Sequence, residues 1–177
     1  MYRKTMLVCV AFTGMVLAGC KQGAEPTPES SSQAALPSDL FAATEPAQAK
    51  SVEEVKKSAK PGDSVVIRGL VGGSLEPFVE SRAVFTLMGT GLKPCGVGSP
   101  MPECKTPWDY CCDPPKEIAA HSATIQIVDA GGSPLKLSLK GQHSVKELSD
   151  LVVVGKVKQA DKNLLVIDAN KIYVRKS

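Results

Sequence analysis

Two long apolar runs near the end of the sequence restrict the fold more than any other feature. Residues 151–158 and 164–174 are rich in Val, Leu and Ile, and the turn-forming residues Asp161, Lys162 and Asn163 separate them. β-Branched runs on either side of a short turn predict two antiparallel strands.

The sequence upstream predicts shorter strands and little helix. Strand-like runs lie at residues 64–71, 83–88, 124–128 and 135–139, the last two forming a hairpin about the turn residues 129–132. Residues 51–60 place Val52 and Val55 at helical spacing, with Ser51 as a cap and Pro61 as a stop, which predicts a helix of about two turns. A single helical turn is predicted over residues 144–149.

These runs resemble those of the OB-fold. Residues 65–71, with Gly69 in their middle, resemble its first strand, and residues 146–157, 165–167 and 171–174 resemble its C-terminal half. The resemblance covers about residues 61–90 and 122–175. It implies an all-β fold, a five-stranded OB-like barrel in which the glycine lets one strand coil into both sheets. A β-sandwich is the alternative. The shared pattern is apolar residues and glycines, so it bears on fold and not on function.

The N-terminus resembles the signal of bacterial lipoproteins. Arg3 and Lys4 precede an uncharged run over residues 6–17, which is too short for a permanent membrane span. Residues 17–20 read Leu-Ala-Gly-Cys, which resembles a lipobox. The resemblance implies that residues 1–19 are removed and that Cys20 is acylated. The protein would then be held by lipid at the cell membrane or outer membrane, facing the periplasm or exterior.

Composition separates a linker from one domain. Residues 20–50 are rich in Pro, Ser, Ala, Gln and Glu, which predicts an acylated cysteine followed by a disordered linker, and residues 51–177 suit a single domain. The chain has 21 Lys and Arg against 18 Asp and Glu, and two of the 21 lie in the signal, so the remainder is nearly neutral. This balance, with no aromatic platform on the predicted strands apart from Phe85, disfavours nucleic-acid binding, the function of many OB-folds.

A cysteine-rich insertion, residues 90–121, is the segment that a barrel does not explain. Cys95, Cys104, Cys111 and Cys112 lie here with the spacing C-x8-C-x6-C-C. In an exported protein an even number of cysteines predicts disulfides. A bond between the neighbours Cys111 and Cys112 is disfavoured by geometry. We therefore expect Cys95 and Cys104 each to pair with one member of that doublet, with no cofactor.

The same cysteines allow a metal or redox alternative. Four thiolates suit zinc or copper, and His121 is near enough in sequence to add a ligand. The spacing is not that of a zinc ribbon, and adjacent ligands are awkward for one ion. A thiol-redox role lacks a C-x-x-C pair.

Trp108, Asp109 and Tyr110 are the candidate ligand-binding residues, because a cross-linked loop that presents aromatics is typical of recognition surfaces. The aromatics could instead fold back and cap the barrel. The sequence has no nucleophile–base pair, phosphate-binding loop or paired carboxylates, so it predicts a non-enzyme. The function predicted first is a membrane-anchored module that binds a protein or envelope ligand; metal or redox chemistry at the cysteines and nucleic-acid binding are the alternatives.

Overall fold

The computed structural model describes residues 35–97, 104–161 and 163–176. The predicted signal (residues 1–19), Cys20 and the linker as far as residue 34 lie outside the described residues. The elements in chain order are β1 (Lys50–Ser51), α1 (Val52–Ser58), β2 (Ser64–Val71), β3 (Val84–Met88), α2 (Pro115–Ala120), β4 (Ser122–Gln126), β5 (Asp150–Ala160) and β6 (Leu165–Val174), with 3₁₀ turns at Pro107–Asp109 and Gln142–Ser144.

Five of these strands form one closed barrel. β2 pairs with β3, β3 with β4 and β5 with β6, all antiparallel, while β4 and β6 are parallel. Antiparallel pairing of β2 with β5 closes the ring, and β1 adds a short parallel extension to β2. This confirms the predicted all-β, five-stranded OB-like barrel. The β-sandwich alternative is wrong, because the strands of the described residues form a single sheet that closes on itself.

Gly69 lies where β2 pairs with two neighbouring strands, β3 and β5. It is opposite Leu151 of β5, and the next residue, Leu70, already pairs with Met88 of β3. A Cβ at Gly69 would lie 2.2 Å from the Met88 carbonyl oxygen. The residue without a side chain therefore allows β3 to approach closely enough for the barrel to close.

The barrel interior is filled by apolar side chains from all five strands. Ile67, Phe85, Ile125, Val153 and Ile167 represent one strand each, and all are at most 1% exposed. Helix α1 adds the buried Val52 and Val55. Its first turn has the predicted Ser51 cap: the Glu54 N–H donates to Ser51 Oγ, and the Ser51 N–H donates to Glu54 Oε2 at 2.7 Å. This capping box fixes where the helix begins.

The predicted strand at residues 135–139 does not form. Leu135 donates its N–H to the Ile127 carbonyl and accepts from the Ala83 N–H, but the Leu137 N–H turns back to the Leu135 carbonyl. The alternating leucines still have an apolar environment, since Leu139 is buried and Leu135 and Leu137 pack against the core. Their alternation reflects burial of an irregular segment, which sequence alone does not distinguish from a strand. The predicted helical turn at 144–149 is likewise displaced to the 3₁₀ turn Gln142–Ser144.

The predicted disordered linker extended to residue 50, but residues 37–49, the N-terminal segment, lie against the barrel. Leu40 has no exposed surface and belongs to the core. The Ile172 N–H donates to the Leu40 carbonyl, and the Ala42 N–H donates to the Ile172 carbonyl at 2.8 Å. The segment therefore packs beside β6, and the linker prediction is wrong for these residues because one leucine and one phenylalanine supply apolar contacts that the polar composition hides.

No helix within the described ranges is long and apolar enough to cross a membrane.

Candidate functional site

The cysteine-rich insertion is fixed to the barrel by a short turn. The turn Pro107–Asp109 lies against the loop that follows β2, where the Gly73 N–H donates to the Trp108 carbonyl at 2.7 Å. The Trp108 indole N–H donates to the Leu75 carbonyl at 3.0 Å. A Cβ at Gly72 would lie 2.6 Å from the Trp108 carbonyl oxygen, so this glycine permits the contact. Backbone and side chain of Trp108 are thus both held.

Tyr110 ends that turn and points into the protein. Its φ of 57° and ψ of 27° place it in the left-handed region, and it has no exposed surface. The ring packs against Gly72. Among the described residues its hydroxyl has no hydrogen-bond partner. Burial, with smaller contributions from Asp113 and Cys95, raises the pKa of Tyr110 to about 12. Tyr110 was predicted as a ligand-binding residue, but a side chain without exposed surface supports the loop instead of contacting a partner.

The four cysteines of the insertion come together as the sequence predicted. Cys95 is buried and its N–H donates to the Pro107 carbonyl, while Cys104 is half-buried and Cys111 and Cys112 are exposed. Cys95 Sγ lies 3.7 Å from Cys111 Sγ, and the Cys112 N–H donates to Cys95 Sγ at 3.4 Å. No S–S bond joins these four sulfurs among the described residues. The disulfide pairing therefore stays a prediction.

Asp109 belongs to this cluster. One ligand atom from each of Cys95, Cys104, Asp109 and Cys111 lies within 4.8 Å of all the others. Asp109 Oδ1 accepts from the Cys111 N–H at 2.9 Å, and Oδ2 accepts from the Thr106 hydroxyl at 2.8 Å. Burial opposes ionisation of Asp109, but these hydrogen bonds outweigh it and hold the pKa of its carboxyl below the ordinary value. A negatively charged carboxylate is thereby fixed beside three thiols.

The protons of the exposed thiols are held in the cluster. Hydrogen bonding to Asp109, and then to Cys95, raises the pKa of Cys111 well above its ordinary value. Hydrogen bonding to Cys95 is the main cause that raises the pKa of Cys112. A raised pKa disfavours the free thiolate, so Cys111 and Cys112 lack the lowered pKa that is typical of a reactive cysteine nucleophile.

His121 lies elsewhere. Its Nδ1 is 2.8 Å from the Glu117 carbonyl oxygen, and its Nε2 is 3.8 Å from Glu53 Oε1. The cluster of mutually close ligand atoms does not include it. His121 thus packs where α2 meets helix α1, and the alternative in which it adds a fifth donor has no geometric support.

Sequence reasoning missed the role of Glu53. Its carboxylate accepts from the Gly91 N–H at 3.1 Å, which ties the start of the insertion to α1. A Cβ at Gly89 would lie 2.3 Å from Glu53 Oε1, so the neighbouring glycine admits the carboxylate. The only sequence signal was an acidic residue in the first turn of a helix, which has an ordinary explanation in the helix dipole.

Comparison with known proteins gives no match: no family model fits the sequence, and no curated protein or solved structure is significantly similar. The structure defines the class of protein as an OB-like five-stranded barrel with an inserted cysteine cluster.

Proposed function

We propose that the protein is an exported, lipid-anchored and non-catalytic binding module that recognises a protein or another cell-envelope ligand through its cysteine-rich loop. The barrel serves as a rigid support. The loop, closed by its own cysteines, supplies the contact surface. In this proposal the signal residues 1–19 are removed and the acylated Cys20 keeps the module at the membrane surface.

The observation that carries the proposal is the fixed, partly exposed Trp108. Its carbonyl and its indole N–H are both engaged by the loop after β2, at 2.7 and 3.0 Å. The residue is only half-buried, and Leu75, whose carbonyl it contacts, is 59% exposed. The two residues give an apolar surface that has a set position before any partner arrives.

Such a surface has the physical properties of a binding hot spot. Tryptophan is enriched among residues whose truncation weakens interfaces most. A side chain that is already immobilised loses little conformational entropy on binding, so more of the contact energy appears as affinity. Tyr110 contributes indirectly, because its buried ring anchors the turn that presents Trp108.

Replacing Trp108 tests the recognition surface. The full chain carrying Trp108→Ala should bind its envelope partner at least tenfold more weakly, since truncating a hot spot costs about 2 kcal/mol or more. The measurement is crosslinking capture from the organism's own envelope extract, with mass spectrometric identification of the partner and thermal unfolding of each variant.

Leu164→Ala is the matched control, because Leu164 is also an exposed apolar side chain, 37% exposed, but lies in the turn between β5 and β6. It should capture the same partner as the unmodified chain. Equal capture by the Trp108 variant, or a large fall in its melting temperature, would show that the indole is a structural residue and would overturn the proposal.

The membrane anchor has its own test. Cys20→Ala should abolish incorporation of labelled palmitate and release the protein from the membrane fraction, because the acyl chains supply about 0.8 kcal/mol per buried CH₂. Metabolic labelling followed by fractionation measures both effects, with Cys9→Ala as the control that should leave them unchanged. Equal labelling of the Cys20 variant and the unmodified chain would contradict the anchor.

A further inference from the structure

Four ligand groups from two arms of the insertion converge on one point. Cys95 comes from the first arm (residues 90–97), and the second arm (residues 104–121) supplies Cys104, Asp109 and Cys111. We propose that these four side chains form a tetrahedral binding site for one thiophilic divalent cation, of which Zn²⁺ is the chemical type. The inference adds to the proposed function, because the ion would fix the loop that carries Trp108, but it rests on its own geometry.

The sulfur separation matches a metal site. Tetrahedral zinc with Zn–S bonds of about 2.3 Å places its sulfurs about 3.8 Å apart. Cys95 Sγ and Cys111 Sγ are 3.7 Å apart. Two bonded sulfurs would be about 2.05 Å apart. The observed separation is too long for an S–S bond and is short enough for the two sulfurs to ligate a common ion.

The donor set selects the type of ion. Three thiolates and one carboxylate suit a borderline-soft cation that accepts both sulfur and oxygen, which is the behaviour of zinc. Calcium and magnesium require mostly oxygen donors, and Cu(I) favours sulfur alone. The arrangement also removes the difficulty of adjacent cysteine ligands, since Asp109 occupies the fourth position and the thiol of Cys112 is not needed.

The surrounding groups orient the ligands. The Cys112 N–H donates to Cys95 Sγ at 3.4 Å, a contact that stabilises negative charge on a ligating sulfur. The Thr106 hydroxyl and the Cys111 N–H hold the two oxygens of Asp109. Outer contacts of this kind are typical of metal sites, where they fix the ligands before the ion binds.

The decisive measurement is made on the full chain, isolated in mild detergent under nitrogen without chelator. Metal analysis and thiol counting should give one zinc per chain and no disulfide among the four cysteines. After zinc is removed, addition of Co²⁺ should produce the near-ultraviolet thiolate-to-cobalt band and the visible bands of tetrahedral cobalt. Two disulfides without metal, or a reduced chain that gives no such spectrum, would overturn the proposal.

Variants then test the ligand assignment. Cys111→Ser should lose the stoichiometric metal, and Asp109→Asn should weaken Co²⁺ binding while keeping an oxygen that accepts from the Cys111 N–H. Cys112→Ser is the matched control, an adjacent thiol outside the proposed set, and should keep the metal and the spectrum. Equal loss of metal from the Cys112 and Cys111 variants would overturn the assignment. Trp108→Ala leaves all four ligands in place, so this variant should keep the metal even when it no longer captures the partner. Measuring both properties therefore distinguishes a failure of the metal site from a failure of the recognition surface.

Discussion

At the scale of single residues, Tyr110 determines how the loop meets the barrel. A left-handed conformation is rare for a residue with a Cβ and costs free energy. Here it turns the chain so that the ring enters the protein while the residues on either side, Asp109 and Cys111, face the cluster. The buried ring supplies the contacts that stabilise this conformation.

Tyr110→Phe should leave the fold intact and should keep or raise the free energy of unfolding. A buried hydroxyl without a partner costs about 1–3 kcal/mol, and phenylalanine removes it without removing the ring. Tyr110→Ala, by contrast, should destabilise by about 3–5 kcal/mol through the cavity it leaves. Urea denaturation of the three chains measures both changes. A clear loss of stability in the phenylalanine variant would show that the hydroxyl has a structural role.

At the scale of elements, the N-terminal segment (residues 37–49) works as part of the barrel. Leu40 enters the core, and Phe41 stacks on the ring of His143 with centroids 3.9 Å apart. Two ion pairs also join the segment to β6 and to the residue just after it: Asp39 with Lys171, and Glu45 with Arg175. The segment covers side chains that β6 would otherwise expose.

Leu40→Ala should therefore destabilise the barrel by about 2–5 kcal/mol, the usual cost of truncating a buried leucine. Leu36→Ala, which removes a partly buried leucine outside the segment, should cost clearly less. Chemical denaturation with a common m-value gives the comparison. If the two variants had the same stability as the unmodified chain, the segment would not be part of the folded unit.

Asp150 joins three elements near the end of the barrel. Its carboxylate accepts from Arg68 of β2, at 2.8 and 3.0 Å, and from Arg175, which follows β6, at 2.9 Å. Burial opposes the ionisation of Asp150, but the two guanidinium groups outweigh it and hold the pKa of this carboxyl below its ordinary value of 3.8. The Arg68–Asp150 ion pair is partly open to solvent, since the Arg68 side chain is 41% exposed. Screening by solvent therefore reduces what this ion pair contributes to stability.

Because the pKa of Asp150 is lowered on folding, its stabilisation is present above the ordinary value of 3.8 and is lost as the pH falls through the lowered value. Asp150→Asn should cost about 1 kcal/mol at neutral pH, and the difference from the unmodified chain should shrink below pH 3.8. Unfolding free energies measured across this range test it, with Glu76→Gln, an exposed carboxylate, as the control. A difference that stays constant with pH would rule out the ionised carboxylate as its cause.

Sequence patterns predicted some of these elements well. β2 lies at the predicted residues 64–71, and β5 and β6 lie within a few residues of their predicted bounds, because long runs of β-branched residues have few alternatives. The N-terminal segment was missed because two apolar residues in a polar stretch carry no periodicity. The strand predicted at residues 135–139 does not form, because alternating apolar residues indicate burial on one side whether or not the backbone pairs with a neighbouring strand.

The cluster shows a different limit. The four cysteines were expected to meet, but the place of Asp109 among them depends on the left-handed turn at Tyr110, which spacing does not reveal. The contact between Glu53 and Gly91 likewise joins residues far apart in sequence. Local patterns predict which residues carry chemistry, whereas their mutual distances follow from the path of the chain.

At the scale of the whole molecule, a closed barrel supports one inserted loop from several sides. Glu53 holds the start of the insertion, Gly73 holds its turn, and the buried Tyr110 anchors its second arm. The barrel leaves the ligand groups close together and Trp108 partly exposed. The proposed ion would add to these contacts, and the position that they give Trp108 favours its proposed role in binding.

Native mass spectrometry of the untreated full chain distinguishes a zinc-bound loop from a disulfide-bonded one, because the mass reports both the bound ion and the oxidation state of the cysteines. We expect a single species that carries one zinc ion and that, after acid removes the metal, has the mass of a chain with all four insertion cysteines reduced. A metal-free species lighter by the hydrogens of two disulfides would contradict it.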